Sequence, residues 1–389
     1  MDTRAAKTVI AMLVAILFVA VIVIAACAPT TVPAVTLSPT TPAKTTTASS
    51  PAAPELSPQE AEWQKVMDAA RKEGRVTAYS YNFLGDVGIG LQRAFEQKYS
   101  IKLDIITGLG AQFLEKIKTE KRMGQMTGDF TEGSIINLHS MRIDGLLLAI
   151  DLSLPVVKEE GVWIVEPAGL DPRDKEVLPF FVSYNTPYVN TKLVNPGEEP
   201  KSYFDLLDPK WKGKLGIPDP STVPSAYDLF VPLLEQKILD EEYLKSLGKQ
   251  NMLFYKSLPD ALSALSRGEY SVLVRSSDST AASFAKEGAP IKAVGMKEGT
   301  ISSGGAIGAI KGGPHPNAAK VFINWAMSRE GQTVFTSIKG NSSIRKDVPD
   351  ARPEAVRAVA FKVIMSTPDH NTKSAELMRE RWLLKLWGR

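Results

Sequence analysis

The stretch from Phe180 to Pro220 interrupts an otherwise regular alternation of short apolar strands and amphipathic helices, and this interruption limits the folds open to the chain. It opens on the apolar run Val177–Val182, too short for a buried helix and placed like a buried strand. A turn is expected at Tyr184-Asn185-Thr186-Pro187, followed by a loop rich in Asn, Pro and Gly. A short helix then starts at Ser202, with Asp205 three residues on as its capping partner. The segment Asp208–Lys214 turns into a second strand, Leu215–Ile217. One sheet ends here and another begins.

The alternation itself is regular on both sides. Ser57-Pro58-Gln59-Glu60 is a capping box with Pro at the first helical position, and Trp63, Val66, Met67 and Ala70 recur at helical spacing. Gly74 closes that helix and Val76–Tyr81 reads as a strand. Leu91, Ala94 and Phe95 mark a second helix, then comes the strand Ile101–Thr107. A helix carrying Phe113, Leu114 and Ile117, a strand ending near Glu132 and a helix over Ile135–Asp144 follow. Beyond the interruption a helix is expected from Pro224 to Ile238 and another from Asp240. The strand Met252–Tyr255, a helix capped by Ser257 and stopped by Gly268, and the strand Tyr270–Arg275 come next. Asp278–Glu287 reads as a helix and Ile291–Gly295 as a strand. Gly304–Ile310 is expected to carry the chain back, ahead of a helix with Val321, Phe322, Trp325 and Ala326 on one face. The terminal helix, with Trp382, Leu383, Leu384, Leu386 and Trp387, is expected to close on the first domain, a partner-binding helix being the alternative. Such alternation argues for mostly parallel α/β sheets, and 389 residues suffice for two domains.

The N-terminus carries its own signal. Arg4 and Lys7 precede an apolar run from Val9 to Ala26, and Ile24-Ala25-Ala26-Cys27 ends it. A positive flank, an apolar segment and small residues read as an export signal over residues 1–26. The final four residues look like a bacterial lipobox, which implies lipid attachment at Cys27; an uncleaved transmembrane anchor is the alternative. Residues 27–58, rich in Thr, Ser and Pro, bury too little apolar surface to order and are expected to be a disordered tether. Both readings place the remainder outside the cytoplasm, on the outer face of the cytoplasmic membrane.

Several chemistries are excluded. The formal net charge is only +3 with both signs interspersed, so no nucleic-acid face is expected. The single cysteine permits no disulfide within a monomer, and a monomer is expected. His139, His315 and His370 are isolated, which leaves little for a triad or a metal centre. Gly108 and Gly110 begin a G-x-G, but Phe113 breaks the dinucleotide fingerprint. Ser246–Lys249 and Ser343–Lys346 match S-x-x-K without its partner motifs. No enzyme, cofactor or metal site is expected.

Tyr184-Asn185-Thr186, then Pro200–Lys214 (P-K-S-Y-F-D-L-L-D-P-K-W-K-G-K), then Pro218–Thr222 (P-D-P-S-T), resemble the crossover of the ABC-importer solute-binding proteins. The resemblance covers Trp63 to Val348, and lies with the branch that includes ferric-ion, thiamine, polyamine and aminoethylphosphonate binders. It implies a two-domain periplasmic-binding-protein-like (type II) α/β fold with two interdomain crossovers. Domain 1 is expected over 59–182 with 305–389, and domain 2 over 183–304. It further implies a small-molecule or metal-chelate ligand, hinge closure at Tyr184 and Asn185, and an ABC permease as partner. An extracellular hydrolase or transferase on a bilobal scaffold, or a tethered sensor, are the rival functions.

In open α/β sheets, ligands lie beyond the carboxyl ends of strands, where loops meet helix N-termini. That rule selects Tyr81, Asn82, Gly110, Gln112 and Glu132 in the first domain. In the second it selects Ser221, Thr222, Ser225, Arg275, Ser276, Ser277 and Asp278. The serines and Thr222 suit either plain N-capping or a ligand. Arg275 suits either a local carboxylate such as Asp278 or a ligand anion. Tyr81 and Phe83 suit stacking or core packing. Ferric-ion binders of the branch place adjacent tyrosines after the strand that here ends at Arg275, where this chain has Ser276–Thr280. The His they often carry in the first strand-end loop is absent from Tyr81–Asp86. Hydroxyls, helix N-termini and Arg275 therefore suit an anionic solute, or iron held by an anion.

Overall fold

The computed structural model describes residues 57–149, 154–164, 175–222, 225–357 and 362–389. The export signal, Cys27 and most of the tether lie outside the described residues. In chain order the helices and strands begin with α1 (Pro58–Glu73), β1 (Arg75–Ser80), α2 (Asp86–Tyr99), β2 (Lys102–Thr107) and α3 (Gly110–Met123). Next are β3 (Phe130–Ser134), α4 (Ile135–Ile143), β4 (Leu147–Leu148), β5 (Leu178–Asn190) and β6 (Leu215–Pro218). They continue with α5 (Ser225–Asp228), α6 (Phe230–Glu235), α7 (Glu241–Gly248), β7 (Leu253–Tyr255), α8 (Leu258–Arg267) and β8 (Val272–Ser277). Then come α9 (Asp278–Lys286), β9 (Ile291–Ala293), β10 (Thr300–Ile310), α10 (Pro316–Met327) and α11 (Arg329–Lys339). The last are β11 (Ser342–Ser343), β12 (Val363–Met365), α12 (Pro368–Arg379) and α13 (Trp382–Leu386).

The strand order is β2-β1-β3-β10-β5-β8-β6-β7, with β4, β9, β11 and β12 pairing off this path. Strands β1, β2 and β3 are parallel to one another, as are β6, β7 and β8. Between these two parallel sets run β5 and β10, antiparallel to each other over most of their length. They are the crossovers expected near Phe180–Asn185 and Gly295–Lys311, and they are longer than the sequence suggests.

The expected turn at Tyr184–Pro187 is not there. Asn185 pairs with Ile301 on one side and Ser277 on the other, so the segment is held as strand from both flanks. Pro187 is tolerated because the β5–β8 register shifts between Thr186 and Tyr188, and a bulge needs no amide hydrogen there. On β10, Gly304 lies so close to β5 that an added Cβ would sit 2.4 Å from the Phe181 carbonyl oxygen, which reserves the position for glycine.

Each parallel set has its own apolar core. Phe83, Phe95, Phe130, Phe180, Phe322 and Phe335 are fully buried around the first. Leu215, Ile217, Phe230, Leu244, Leu247 and Val274 fill the second. Each such side chain contributes about 1.5–3 kcal/mol by leaving water. Phe83 is therefore core and not a stacking platform. Local signals place α1, where Ser57 and Glu60 form the capping box and Gly74 takes the left-handed cap at φ 70°. The helix expected over Pro224–Ile238 is instead two short ones, α5 and α6, separated at Leu229.

The terminal helices correct a second expectation. Leu377 and Leu383 belong to the second core, and the Trp387 indole donates to the Leu244 carbonyl in the middle of α7 (2.8 Å). The closing helix packs on the second half of the molecule, because its apolar face meets α7 there.

Candidate functional site

A cleft of about 650 Å³ opens where β5 and β10 cross between the halves. The first half supplies Tyr81 and Asn82 after β1, and Ser134 at the N-cap of α4. The crossing strands supply Phe181, Ser183 and Asn185 from β5, with Ser303 and Gly304 from β10. From the second half come Asp228 on α5, Arg275 and Ser277 at the end of β8, and Ser279 and Thr280 in the first turn of α9. Lys339, ending α11, and Asn341 complete the wall.

Arg275 is the charged group most deeply set in this wall. Its residue is 4% exposed, and one guanidinium nitrogen donates to Asn185 Oδ1 at 2.6 Å. Its nearest carboxylate, Asp228, is 3.9 Å away, beyond hydrogen-bond range. Its Nε and Nη1 are buried and have no partner among the described residues. A buried unsatisfied donor costs on the order of 1–3 kcal/mol, more when charged. Burial pulls the Arg275 pKa down and the Asp228 charge pulls it back. Burial also pushes the Asp228 carboxyl up, against the Arg275 charge.

Beside Arg275, Ser277 caps α9 and shares a hydrogen bond with the Thr280 hydroxyl at 2.7 Å. This puts two hydroxyls and the positive end of a helix on the same wall.

Asp278 does not face the cleft. It is fully buried, and its Oδ1 accepts from the Ser183 hydroxyl (2.8 Å) and the Ser279 amide (2.7 Å). Its Oδ2 accepts from Arg352 Nη1 (2.6 Å) and the Ser342 hydroxyl (3.2 Å). The carboxylate partner of Arg275 proposed from sequence is thus Arg352's partner. Arg352 also forks onto Asp350 (2.9 and 2.6 Å) and lies 5.4 Å over the Tyr184 ring. Burial works against the Arg352 charge, but hydrogen bonds to Asp350 and the Asp278 charge raise its pKa.

The other expected residues divide. Tyr81, Asn82, Arg275 and Ser277 line the cleft, as does Asn185 of the hinge pair; Tyr184 turns to Arg352. Gly110 and Gln112 start α3 away from it, Gly110 against Asn137 and Gln112 bonded to the Leu109 amide. Glu132 is buried behind the wall, bonded to Ser80 and Asn82, and Ser276 is fully buried in β8. Ser221 and Thr222 are exposed in a turn organised by Asp219, and the Ser225 side chain lies outside the described residues. Sequence reasoning missed Asp228, Lys339 and Asn341. A lysine ending a helix reads as dipole complement, and nothing local says that its helix ends at a cleft. Among the described residues no three His, Cys, Asp or Glu side chains gather as a metal centre requires, and no helix is long and apolar enough to cross a membrane.

Comparison with known proteins agrees with this architecture. The sequence profile of the bacterial extracellular solute-binding proteins matches residues 91–363. An uncharacterised protein of Haemophilus influenzae is 29% identical over 279 residues, 69% of this chain and 77% of its own length. Iron-bound HitA from Pseudomonas aeruginosa superposes with a TM-score of 0.60 at 20% identity, over 79% of this chain and 98% of its own. Trichodesmium FutA (IdiA), in complex with iron and citrate, gives 0.65 at 19% identity, over 81% and 99%. AfuA from Actinobacillus pleuropneumoniae, with fructose-6-phosphate bound, gives 0.55 at 24% identity, over 80% and 97%. With two parallel strand sets joined into one sheet by two crossing strands, and a cleft at the crossing, the chain belongs to the bacterial extracellular solute-binding proteins, the two-domain type II receptors of ABC importers.

Proposed function

We propose that this receptor holds a small anionic solute, or iron carried by such an anion, with Arg275 as its main anchor. The observation behind this reading is the pair of unpartnered guanidinium nitrogens of Arg275 on the cleft wall. An anionic oxygen accepting from either nitrogen would remove that deficit, and a guanidinium is the side chain best suited to carboxylate and phosphoryl groups. Ser277, Thr280 and Lys339 add donors on the same wall. Bare ferric ion is a poorer match, since Tyr81 is the one phenol and Asp228 the one carboxylate among the lining residues. AfuA with its sugar phosphate and FutA with iron and citrate are relatives whose ligands include an anion.

Closure follows from contact with both halves, because only a solute that binds the closed form more tightly shifts the equilibrium toward it. The hinge is assigned to the middle of β5 and β10, with lobe limits near 182/183 and 304/305, and with α12 and α13 moving with the second lobe. Cys27 carries the lipid anchor, and a permease in the cytoplasmic membrane receives the closed, monomeric receptor. Loss of a metabolic palmitate label in Cys27→Ala is the expected result; an unchanged label discards the anchor.

The central test is native mass spectrometry of protein purified without refolding, then titration calorimetry with the molecule it releases. Arg275→Ala should weaken binding by about 150-fold or more, the value of two charge-assisted hydrogen bonds at about 1.5 kcal/mol or more each. Unchanged affinity refutes the anchor, and a released molecule chemically altered on re-incubation refutes a pure receptor.

A further inference from the structure

Glu132, the lone carboxylate at a strand end in the first half, has a role that the cleft wall does not display directly. Ser80 and Glu132 are register partners on β1 and β3, so their side chains stand side by side on one face of the sheet. The residue is 1% exposed. Its Oε2 accepts from the Ser80 hydroxyl at 2.6 Å and the Asn82 backbone amide at 3.1 Å. Its Oε1 accepts from the Asn82 side-chain Nδ2 at 2.8 Å. Ser80 Oγ itself accepts from the Asn82 and Phe83 amides, so its own proton goes to Glu132; burial pushes the carboxyl up, but these donors pull against it and meet an accepting carboxylate. Facing it, the Asn82 amide has to turn its NH2 inward. The Asn82 atom left toward the cleft is Oδ1.

We propose that Glu132 is a positioning residue that locks the Asn82 amide with its oxygen toward the cleft, so that the receptor selects an anion bearing a separate hydrogen-bond donor. This rests on the reading of the cleft as the solute site. The first-half wall then presents an acceptor, while the second-half wall presents the Arg275 donors. A solute with an acceptor at the Asn82 end meets two lone pairs facing each other and is disfavoured.

The substitution Glu132→Gln tests this because a glutamine offers one acceptor oxygen where the carboxylate has two. That oxygen takes the Ser80 hydroxyl and the Asn82 backbone amide, which leaves the Gln NH2 facing Asn82. The Asn82 amide must invert and point its own NH2 into the cleft. Side-chain amide hydrogen exchange, read by NMR on the ligand-free receptor, reports the inversion; the Asn82 signal is the one lost in Asn82→Ala. The Asn82 NH2 should exchange about tenfold more slowly than exposed amides in the wild type, and about tenfold faster in Glu132→Gln than in the wild type. Equal exchange in the two proteins overturns the proposal. If Glu132→Gln does not fold, the wild type decides alone, because an Asn82 NH2 exchanging like an exposed amide overturns it equally.

Calorimetry with 3-aminopropyl phosphate and 3-carboxypropyl phosphate reads the selectivity. The wild type should prefer the amino compound, and the preference should fall about tenfold in Glu132→Gln, one hydrogen bond's worth. An unchanged ratio overturns the selectivity. Inversion by NMR with neither phosphate bound by the wild type supports the role of Glu132 and counts instead against the anion reading.

Discussion

Replacing Arg352 with Leu strands a buried carboxylate, and the cost can be bounded from the contacts of Asp278. Asp278 is fully buried, and Arg352 Nη1 at 2.6 Å is its one cationic partner by direct contact among the described residues. Breaking a buried ion pair by removing one member costs about 3–5 kcal/mol. The donors that survive the change include Ser183 Oγ, Ser342 Oγ and the Ser279 and Tyr184 amides. These push the figure to the low end. There is also a ceiling, since the stranded carboxyl escapes by taking a proton. From an ordinary value near 3.9, that costs about 4 kcal/mol at pH 7. The forfeited Asp350 pair adds little, because Asp350 is a third exposed. Arg352→Leu should therefore lose about 3–4 kcal/mol in urea denaturation at pH 7, and about 6–8 °C in melting temperature at roughly 2 °C per kcal/mol. The proton escape fixes the sign with pH. The deficit should shrink by up to about 1.4 kcal/mol for each pH unit lowered toward 5. The double variant Asp278→Asn with Arg352→Leu should recover at least about 2 kcal/mol, since no charge is left unpaired. A single variant within about 1 kcal/mol of the wild type, or a double variant no more stable than the single, would refute the buried-pair argument.

Two further outcomes are expected. Against the upward push of burial, hydrogen bonds from Thr127, Tyr79 and Lys116 hold the Glu120 carboxyl at about 2; its stabilisation is complete above the ordinary value of 4.5 and is lost as pH falls toward 2. Glu120→Gln should thus cost about 2–3 kcal/mol at pH 7 and about half that at pH 3, and a pH-independent difference in urea titrations would discard the assignment. Leu383→Ala should cost about 2–4 kcal/mol and raise amide exchange in Glu241–Gly248, where α13 packs; exchange rising in α10 instead would return the terminal helix to the first half.

Local chemistry made most of the elements legible. Ser57 with Glu60, Ser202 with Asp205, Asp240 and Ser257 all cap where hydroxyl or carboxylate and spacing predict. The segment Tyr184–Pro187 was misread because Asn-Thr-Pro carries a turn signal, whereas its conformation is imposed from outside by Ile301 and Ser277. Strand ends located Tyr81, Asn82, Arg275 and Ser277, since the position beyond a parallel strand depends only on recognising the strand. Direction was not legible. Asp278 sits one residue past Ser277 and points the opposite way, toward Arg352, a residue far along the chain whose approach no local pattern announces. Lys339 and Asn341 reach the cleft for a similar reason: they come from the stretch after the return strand.

Strand β3 finds its second neighbour in β10, with Glu132 opposite Ile307. A nascent polypeptide that appears amino end first therefore holds an open β-edge until the return segment arrives, long afterwards. The core around the first parallel set takes Phe83, Phe95, Phe130 and Phe180 from the early chain and Phe322 and Phe335 from far beyond, so it cannot be complete before that later stretch is present. Distant pairings of this kind slow folding and leave bare edges prone to mispairing. For an extracytoplasmic receptor the same delay keeps the polypeptide extended for longer before it folds.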